Sequence, residues 1–344
     1  MQEQDSIIYA GPGKYEFVKK PIPTIKNGND ILIKILAASI CGTDVHILAD
    51  PPEYPAVPGV TIGHELVGEV VECGPDVIGF EPGDHLIMDN NLQCGVCDWC
   101  KTGYYNVCPN MKALGMDYDG AFAQFCVCPE TNVVKINKDV PIERAIFAEP
   151  LNCVMGGVEK LKMMPGDNVL ILGGGPIGMY FAKILKTMGA GKVLVSEVSE
   201  FRTGYVKQTG ADRVVNPVKE NLREVVDDEM RGGADIVIDC VGVLINDALD
   251  CVKAGGTILL FGLNDNARQQ ICQSTITRWG ITVMGTFIGC NTLQKVANGL
   301  NSNLFDFDFM ITHKLALKDF EIGLDAMRKG TAFEVILYPW DDIR

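Results

Sequence analysis

Positive charge and histidine are both scarce along these 344 residues: 30 Lys and Arg stand against 44 Asp and Glu, with four His. The resulting formal charge of −14 argues against a nucleic-acid or anionic-membrane partner, both of which call for a basic face. No stretch approaches 18 consecutive apolar residues, so none reads as a membrane-spanning helix. The opening segment MQEQDSIIYAGPGKYEFVKK is acidic and polar, and its one apolar run, Ile7 to Ala10, is far too short for the apolar region of a secretory leader. A cytoplasmic location is therefore expected. Low-complexity tracts and internal repeats are also lacking, which leaves an ordinary globular chain.

What the chain has is apolar mass and cysteine. With 47% hydrophobic residues it can bury a large core, and its length predicts about two domains. Thirteen cysteines, an odd number, suit buried small side chains and metal ligands in a reducing compartment better than disulfides. The first 150 or so residues are rich in Gly, Pro and β-branched residues. Segments such as ILIKILAAS and HELVGEVVECG are bounded by turn signals, so this half reads as mostly β. From about residue 155 the pattern changes to buried strands alternating with helices, which predicts a doubly wound parallel sheet. After about residue 290 the character is mixed again, ending in a helix over LKDFEIGLDAMRKG.

Gly173-Gly174-Gly175-Pro176-Ile177-Gly178 follows an apolar strand and opens a helix, the context that gives G-x-G-x-x-G its meaning. Gly173 serves the tight turn, Gly175 lets the backbone approach a pyrophosphate, and Gly178 allows close packing of helix on strand; free N–H groups then face the phosphates. The next strand ends at Glu197, where a carboxylate can accept hydrogen bonds from the adenosine ribose and would repel a 2′-phosphate. NAD is therefore the expected cofactor. Arg202 could lie along the adenosine edge.

Cys41 follows a strand within CGTDVH, and His64 and Glu65 sit within GHELVGEV. Thiolate, imidazole and carboxylate are all zinc ligands, but the separation is long and each residue alone could be a core thiol, a core histidine or a structural carboxylate. A second cluster, Cys94, Cys97, Cys100 and Cys108, has the tight spacing C-x2-C-x2-C-x7-C. Four thiolates can close a tetrahedral zinc shell with no position left for substrate; iron–sulfur ligation uses similar spacing.

These motifs, with AEPL at 148–151 and the glycine turn, occur in the order seen in zinc-dependent medium-chain dehydrogenases. Over essentially its whole length the chain resembles the sorbitol (polyol) and threonine dehydrogenase branch of that family. The resemblance implies a GroES-like, mostly β catalytic domain over 1–152 and 290–344, and a Rossmann NAD-binding domain over 153–289. It implies a catalytic zinc on Cys41, His64 and Glu65, with Glu149 either ligating the metal or holding its water. Thr43 and His46 would carry the alcohol proton to solvent. It also favours structural zinc over iron–sulfur at the four cysteines, and places Gly262, Leu263, Thr286 and Phe287 along the cofactor. A homotetramer or homodimer acting on a small secondary alcohol or ketone is expected.

The departures concern the substrate. Polyol dehydrogenases place tyrosine after the relay histidine, where this chain has Ile47, and an Arg-Tyr pair where it has Ile288-Gly289. Threonine dehydrogenases share the isoleucine but carry histidine where this chain has Asn91, and they lack its Cys290-Asn291-Thr292. If Ile47, Asn91 and Ile288 line the pocket, a polyhydroxylated substrate would leave hydroxyls unpaired, at roughly 1–3 kcal/mol each. A secondary alcohol with a substantial apolar part, as large as a hydroxysteroid, is then the expected substrate; a cyclitol, sugar alcohol or threonine-type amino alcohol is the alternative.

Overall fold

A computed structural model describes residues 2–340. They divide into two compact units, one of residues 2–152 with 290–340 and one of residues 153–289. The division falls inside a single helix, Ala148–Leu161.

The first unit is built on a seven-stranded sheet. From one edge the strands run Ile311–Ala316, Glu334–Tyr338, Asp30–Ser39, Glu65–Cys73, His85–Met88 and Val133–Ile136, with Phe125–Pro129 also paired to Asp30–Ser39. All these pairings are antiparallel except that of Ile311–Ala316 with Glu334–Tyr338. Asp30–Ser39 lies between neighbours and is buried along most of its length, which is why it reads as a nearly continuous apolar run. Its inner face joins Ile7, Ile62, Leu66, Phe122, Phe320 and Leu337 in one core. The register sets Ser39 opposite both Glu65 and Ile336, so the ends of three strands meet where the polar residues begin.

The second unit is a six-stranded, wholly parallel sheet. Its order is Arg213–Val215, Val193–Ser196, Val169–Leu172, Ala234–Asp239, Val252–Leu260, Thr282–Gly285. Numbered along the chain this is 3-2-1-4-5-6, the doubly wound order whose direction reverses beside the first strand. Val169–Leu172 and Val193–Ser196 are buried throughout. Among the described residues no helix is long and apolar enough to cross a membrane.

Candidate active site and zinc centres

At the end of strand Asp30–Ser39 the chain turns into a short helix, Gly42–Ile47, with Cys41 as its N-cap. Asp44 reaches back, its Oδ2 accepting the Cys41 N–H at 2.9 Å, and this fixes the direction of the thiol. His64 immediately precedes the neighbouring strand and Glu65 begins it, and the Ser39 hydroxyl donates to Glu65 Oε2. One sulfur, one imidazole nitrogen and one carboxylate oxygen of Cys41, His64 and Glu65 thereby lie within 4.8 Å of one another. His64 and Glu65 are buried and Cys41 half-buried.

The surroundings of this trio raise its affinity for protons. Burial and the Glu65 carboxylate push the Cys41 thiol up to about 12. Burial opposes charge on His64, yet Asp44 and Cys41 outweigh it and hold the imidazole well above its ordinary value. Burial pushes Glu65 up as well, against His64 and Ser39. Asp44 is fully buried, and its Oδ1, with no hydrogen-bond partner, lies 3.5 Å from His64 Nδ1. A carboxylate behind a ligating imidazole is the arrangement that fixes the ring and raises its basicity. Three mixed N, O and S donors with such a support fit a divalent zinc with one position left open. The place of Asp44 is only half legible in the sequence. The helical spacing that places it under Cys41 is visible in the sequence, but its approach to His64 from another segment is not.

Glu149 is buried in the first turn of helix Ala148–Leu161 but lies outside the trio. Thr43 and His46 stand three apart on helix Gly42–Ile47 and so share a face. The His46 side chain is 47% exposed; its Nδ1 is 2.9 Å from Glu53, and its ring stands edge-on to Tyr54.

The expected pocket residues fare differently. Ile47 is wholly buried within the core, so it does not face an open pocket. Asn91 is half-buried, and its amide donates to Asp89 Oδ1 and Asn90 Oδ1. Asp89 Oδ2 accepts from Asn152, whose Oδ1 accepts from the Thr292 hydroxyl at 2.6 Å, so two of the unusual positions belong to one polar network. Ile288 is half-buried at φ 43, a conformation that a β-branched residue seldom adopts.

The four cysteines form the other cluster, their sulfurs also within 4.8 Å of one another. Cys97 caps the short helix Asp98–Lys101 and accepts the Cys100 N–H; Cys108 accepts the Cys94 N–H, each at 3.5 Å. Backbone N–H groups of Val96 and Cys97 pull the Cys94 thiol down to about 6, while burial and the adjacent thiols push Cys100 up to about 12. Four sulfurs with amide donors aimed at them fit a closed structural zinc shell.

In the parallel-sheet unit, the residues expected to hold a dinucleotide all follow the C-terminal ends of strands. Gly173 has φ 101, and a Cβ on Gly178 would come within 1.9 Å of the Gly173 carbonyl oxygen, so both must be glycine. Pro176 and Ile177 open the helix Pro176–Thr187, with Gly175 as N-cap. Glu197 is buried and already engaged: Oε2 accepts the Gly174 N–H at 2.8 Å and Oε1 the Ser199 N–H at 2.7 Å, with Arg202 Nη1 3.7 Å away. Each oxygen keeps a further lone pair for a ribose hydroxyl. Gly262 and Thr286 are half-buried, while Leu263 and Phe287 are exposed. A buried carboxylate that the motif reading missed, Asp239, accepts from Val241, Gly242 and Leu244 and so shapes the adjoining loop.

Comparison with known proteins agrees with this geometry. Residues 27–138 match the alcohol dehydrogenase GroES-like domain, and residues 176–302 match the zinc-binding dehydrogenase domain. An L-threonine 3-dehydrogenase of Caldanaerobacter subterraneus is 36% identical over 333 residues, covering 94% of this chain and 95% of that protein. A putative zinc-binding dehydrogenase from Sinorhizobium meliloti, solved with NADP, has a TM-score of 0.91 at 29% identity, covering 98% of this chain and all of the other. An Escherichia coli structure described as a short chain alcohol dehydrogenase complexed with NADH gives 0.90 at 26%, covering 98% and 99%. With both candidate ligand sets gathered and both domains matched, the chain belongs to the zinc-dependent medium-chain alcohol dehydrogenase family and is an oxidoreductase acting on CH–OH groups.

Proposed function

We propose that the protein is an NAD-dependent L-threonine-type dehydrogenase, oxidising the secondary hydroxyl of a 2-amino-3-hydroxy acid to a ketone. The observation that carries it is the trio of Cys41, His64 and Glu65 in a chain 36% identical, nearly end to end, to an L-threonine 3-dehydrogenase. The expected apolar alcohol, a hydroxysteroid in particular, has no counterpart among these relatives. Its argument also weakens because Ile47 is buried in the core and Asn91 is bound into a polar network.

A zinc held by Cys41, His64 and Glu65 would supply Lewis-acid polarisation of the substrate hydroxyl. Thr43 is the relay for the hydroxyl proton, because a hydroxyl donates and accepts at once. His46 then passes that proton outward, helped by its exposure and by the Glu53 carboxylate beside it. Asp44 holds the His64 ring. Glu197 selects NAD over NADP, since a carboxylate repels a 2′-phosphate; the NADP-bound relative makes this worth a direct measurement. The test is kcat/KM with NAD and with NADP across L-threonine, sorbitol, 2,3-butanediol and a hydroxysteroid. A preference for L-threonine with NAD is expected, and a clear preference for sorbitol or the steroid overturns the substrate assignment.

A further inference from the structure

Asp239 ends strand Ala234–Asp239 in the parallel-sheet unit and is only 1% exposed, and the chemistry above makes no use of it. Its Oδ1 accepts the N–H groups of Val241 and Gly242, each at 2.8 Å, and its Oδ2 accepts that of Leu244 at 2.9 Å. One side chain thus holds most of the loop that follows it. The Asp239 carbonyl accepts from Phe261 and Gly262, at 2.9 and 2.8 Å. On the other side Leu172 lies beside Asp239 in the parallel register, and its carbonyl accepts the Cys240 N–H at 3.0 Å. Asp239 therefore stands where three neighbouring strands, Val169–Leu172, Ala234–Asp239 and Val252–Leu260, give way to their loops.

These loops touch with no slack. A Cβ on Gly173 would meet the Val241 side chain at 2.7 Å. One on Gly262 would come within 2.3 Å of the Gly242 nitrogen and 2.4 Å of the Val241 carbonyl carbon. Gly173 and Gly262 are two of the residues expected along the dinucleotide, so the 240–244 loop is seated on both. A carboxylate offers acceptors only and can hold three N–H groups; an amide of the same shape offers one oxygen and turns an NH2 toward the rest. We infer that Asp239 is a positioning residue for the dinucleotide, holding the 240–244 loop against the glycine turn and Gly262 in the form that binds. The inference rests on residues 153–289 being the dinucleotide-binding unit. Where these N–H groups lose their acceptor, the loop relaxes toward water, and binding must restore the competent form at that cost.

The test compares Asp239→Asn, which turns a donor toward one of the three N–H groups, with Asp239→Leu, which holds none of them. A third variant, Gly242→Ala, keeps the carboxylate but places a Cβ 2.7 Å from the Gly262 carbonyl oxygen, at a residue with φ 89. On the whole protein, NADH and NADPH are titrated by fluorescence, and exchange of the 240–244 amide hydrogens is followed without cofactor. Zinc content, thermal midpoint, kcat and KM are measured alongside. Asp239→Asn is expected to raise the Kd of the preferred dinucleotide about tenfold, the effect of one buried N–H left unpaired. Asp239→Leu and Gly242→Ala should raise it at least as much, with KM for the dinucleotide rising in step. Exchange at 240–244 should quicken in all three, while kcat does not fall and the zinc count stays that of the parent. A parent-like dinucleotide Kd in folded Asp239→Asn and Gly242→Ala proteins overturns the inference whatever their midpoints, since Asp239 then only stabilises the fold. If Asp239→Leu does not fold, those two variants decide. A parent that binds neither NADH nor NADPH overturns the cofactor reading and this inference together. A parent that binds one of them, with variants that bind it equally well, removes this inference alone.

Discussion

Two clusters of metal-ligating side chains lie in the same unit, and they are made in opposite ways. Cys94, Cys97, Cys100 and Cys108 come from one short stretch, and the groups that steady them are backbone amides of that stretch. Cys41, His64 and Glu65 come from two segments brought side by side by strand pairing, and the groups behind them, Asp44 and Ser39, are side chains. The first kind closes on itself and needs nothing from the rest of the sheet. The second has three donors, which would leave a bound zinc one position open, and supports that depend on the register of the strands. A site that must bind, react and release is built from parts the fold can hold at a distance, whereas a staple can be local.

The largest effect expected from this contrast is in activity. Cys41→Ala should lower kcat/KM by at least about 10³-fold, the loss of several kcal/mol of Lewis-acid stabilisation, with zinc falling by one per chain and the thermal midpoint little changed. Cys100→Ala should also remove one zinc but act on stability. Roughly 3–5 kcal/mol lost in a unit of this size lowers the midpoint by about 10 °C, while activity measured well below it persists. A Cys100→Ala protein that folds with an unchanged midpoint and no activity would reverse the two assignments. Next in size, Asp44→Asn should weaken zinc retention at the Cys41 site by about 10–100-fold and leave the four-cysteine site untouched, because the asparagine amide cannot raise the basicity of His64 as a carboxylate does. Retention that is unchanged would mean that Asp44 only caps the helix.

The same contrast explains what could be read from the sequence. The glycine turn at 173–178 and the four cysteines are legible because their chemistry depends on neighbours within a few residues. The mostly β and doubly wound halves are legible for a related reason, since strand and helix periodicity is local. The Cys41 trio is ambiguous by spacing and became clear only through resemblance to a family. Its support by Ser39 was missed because Ser39 and Glu65 meet through sheet register, which no short window encodes. Ile47 misled for the opposite reason. It follows His46 in sequence, yet a helix turns successive side chains by about 100°, and this one is buried in the core.

The smallest prediction separates metal loss in acid from unfolding in acid. Glu143 Oε1 accepts from Lys314 Nζ at 2.9 Å and from the Tyr338 hydroxyl at 3.0 Å, joining a short helix to two strands of the large sheet. Burial works against the charge on Glu143, but Lys314, its own backbone N–H and Tyr338 together outweigh it and hold the carboxyl below its ordinary value. A carboxyl lowered on folding contributes stability at pH values above the unfolded value and loses it as the pH falls through the folded one. Glu143→Gln should therefore cost less than about 1 kcal/mol near neutral pH and flatten the fall of stability in the acid range. Both are measured by denaturant unfolding at a series of pH values. Zinc release from the Cys41 site in the same buffers should not move, since it is the donors that protonate there and not the sheet that opens. If Glu143→Gln shifts that release, the reacting cluster loses its metal because strand register fails first, and its dependence on the sheet is closer than the contrast with the four cysteines alone implies.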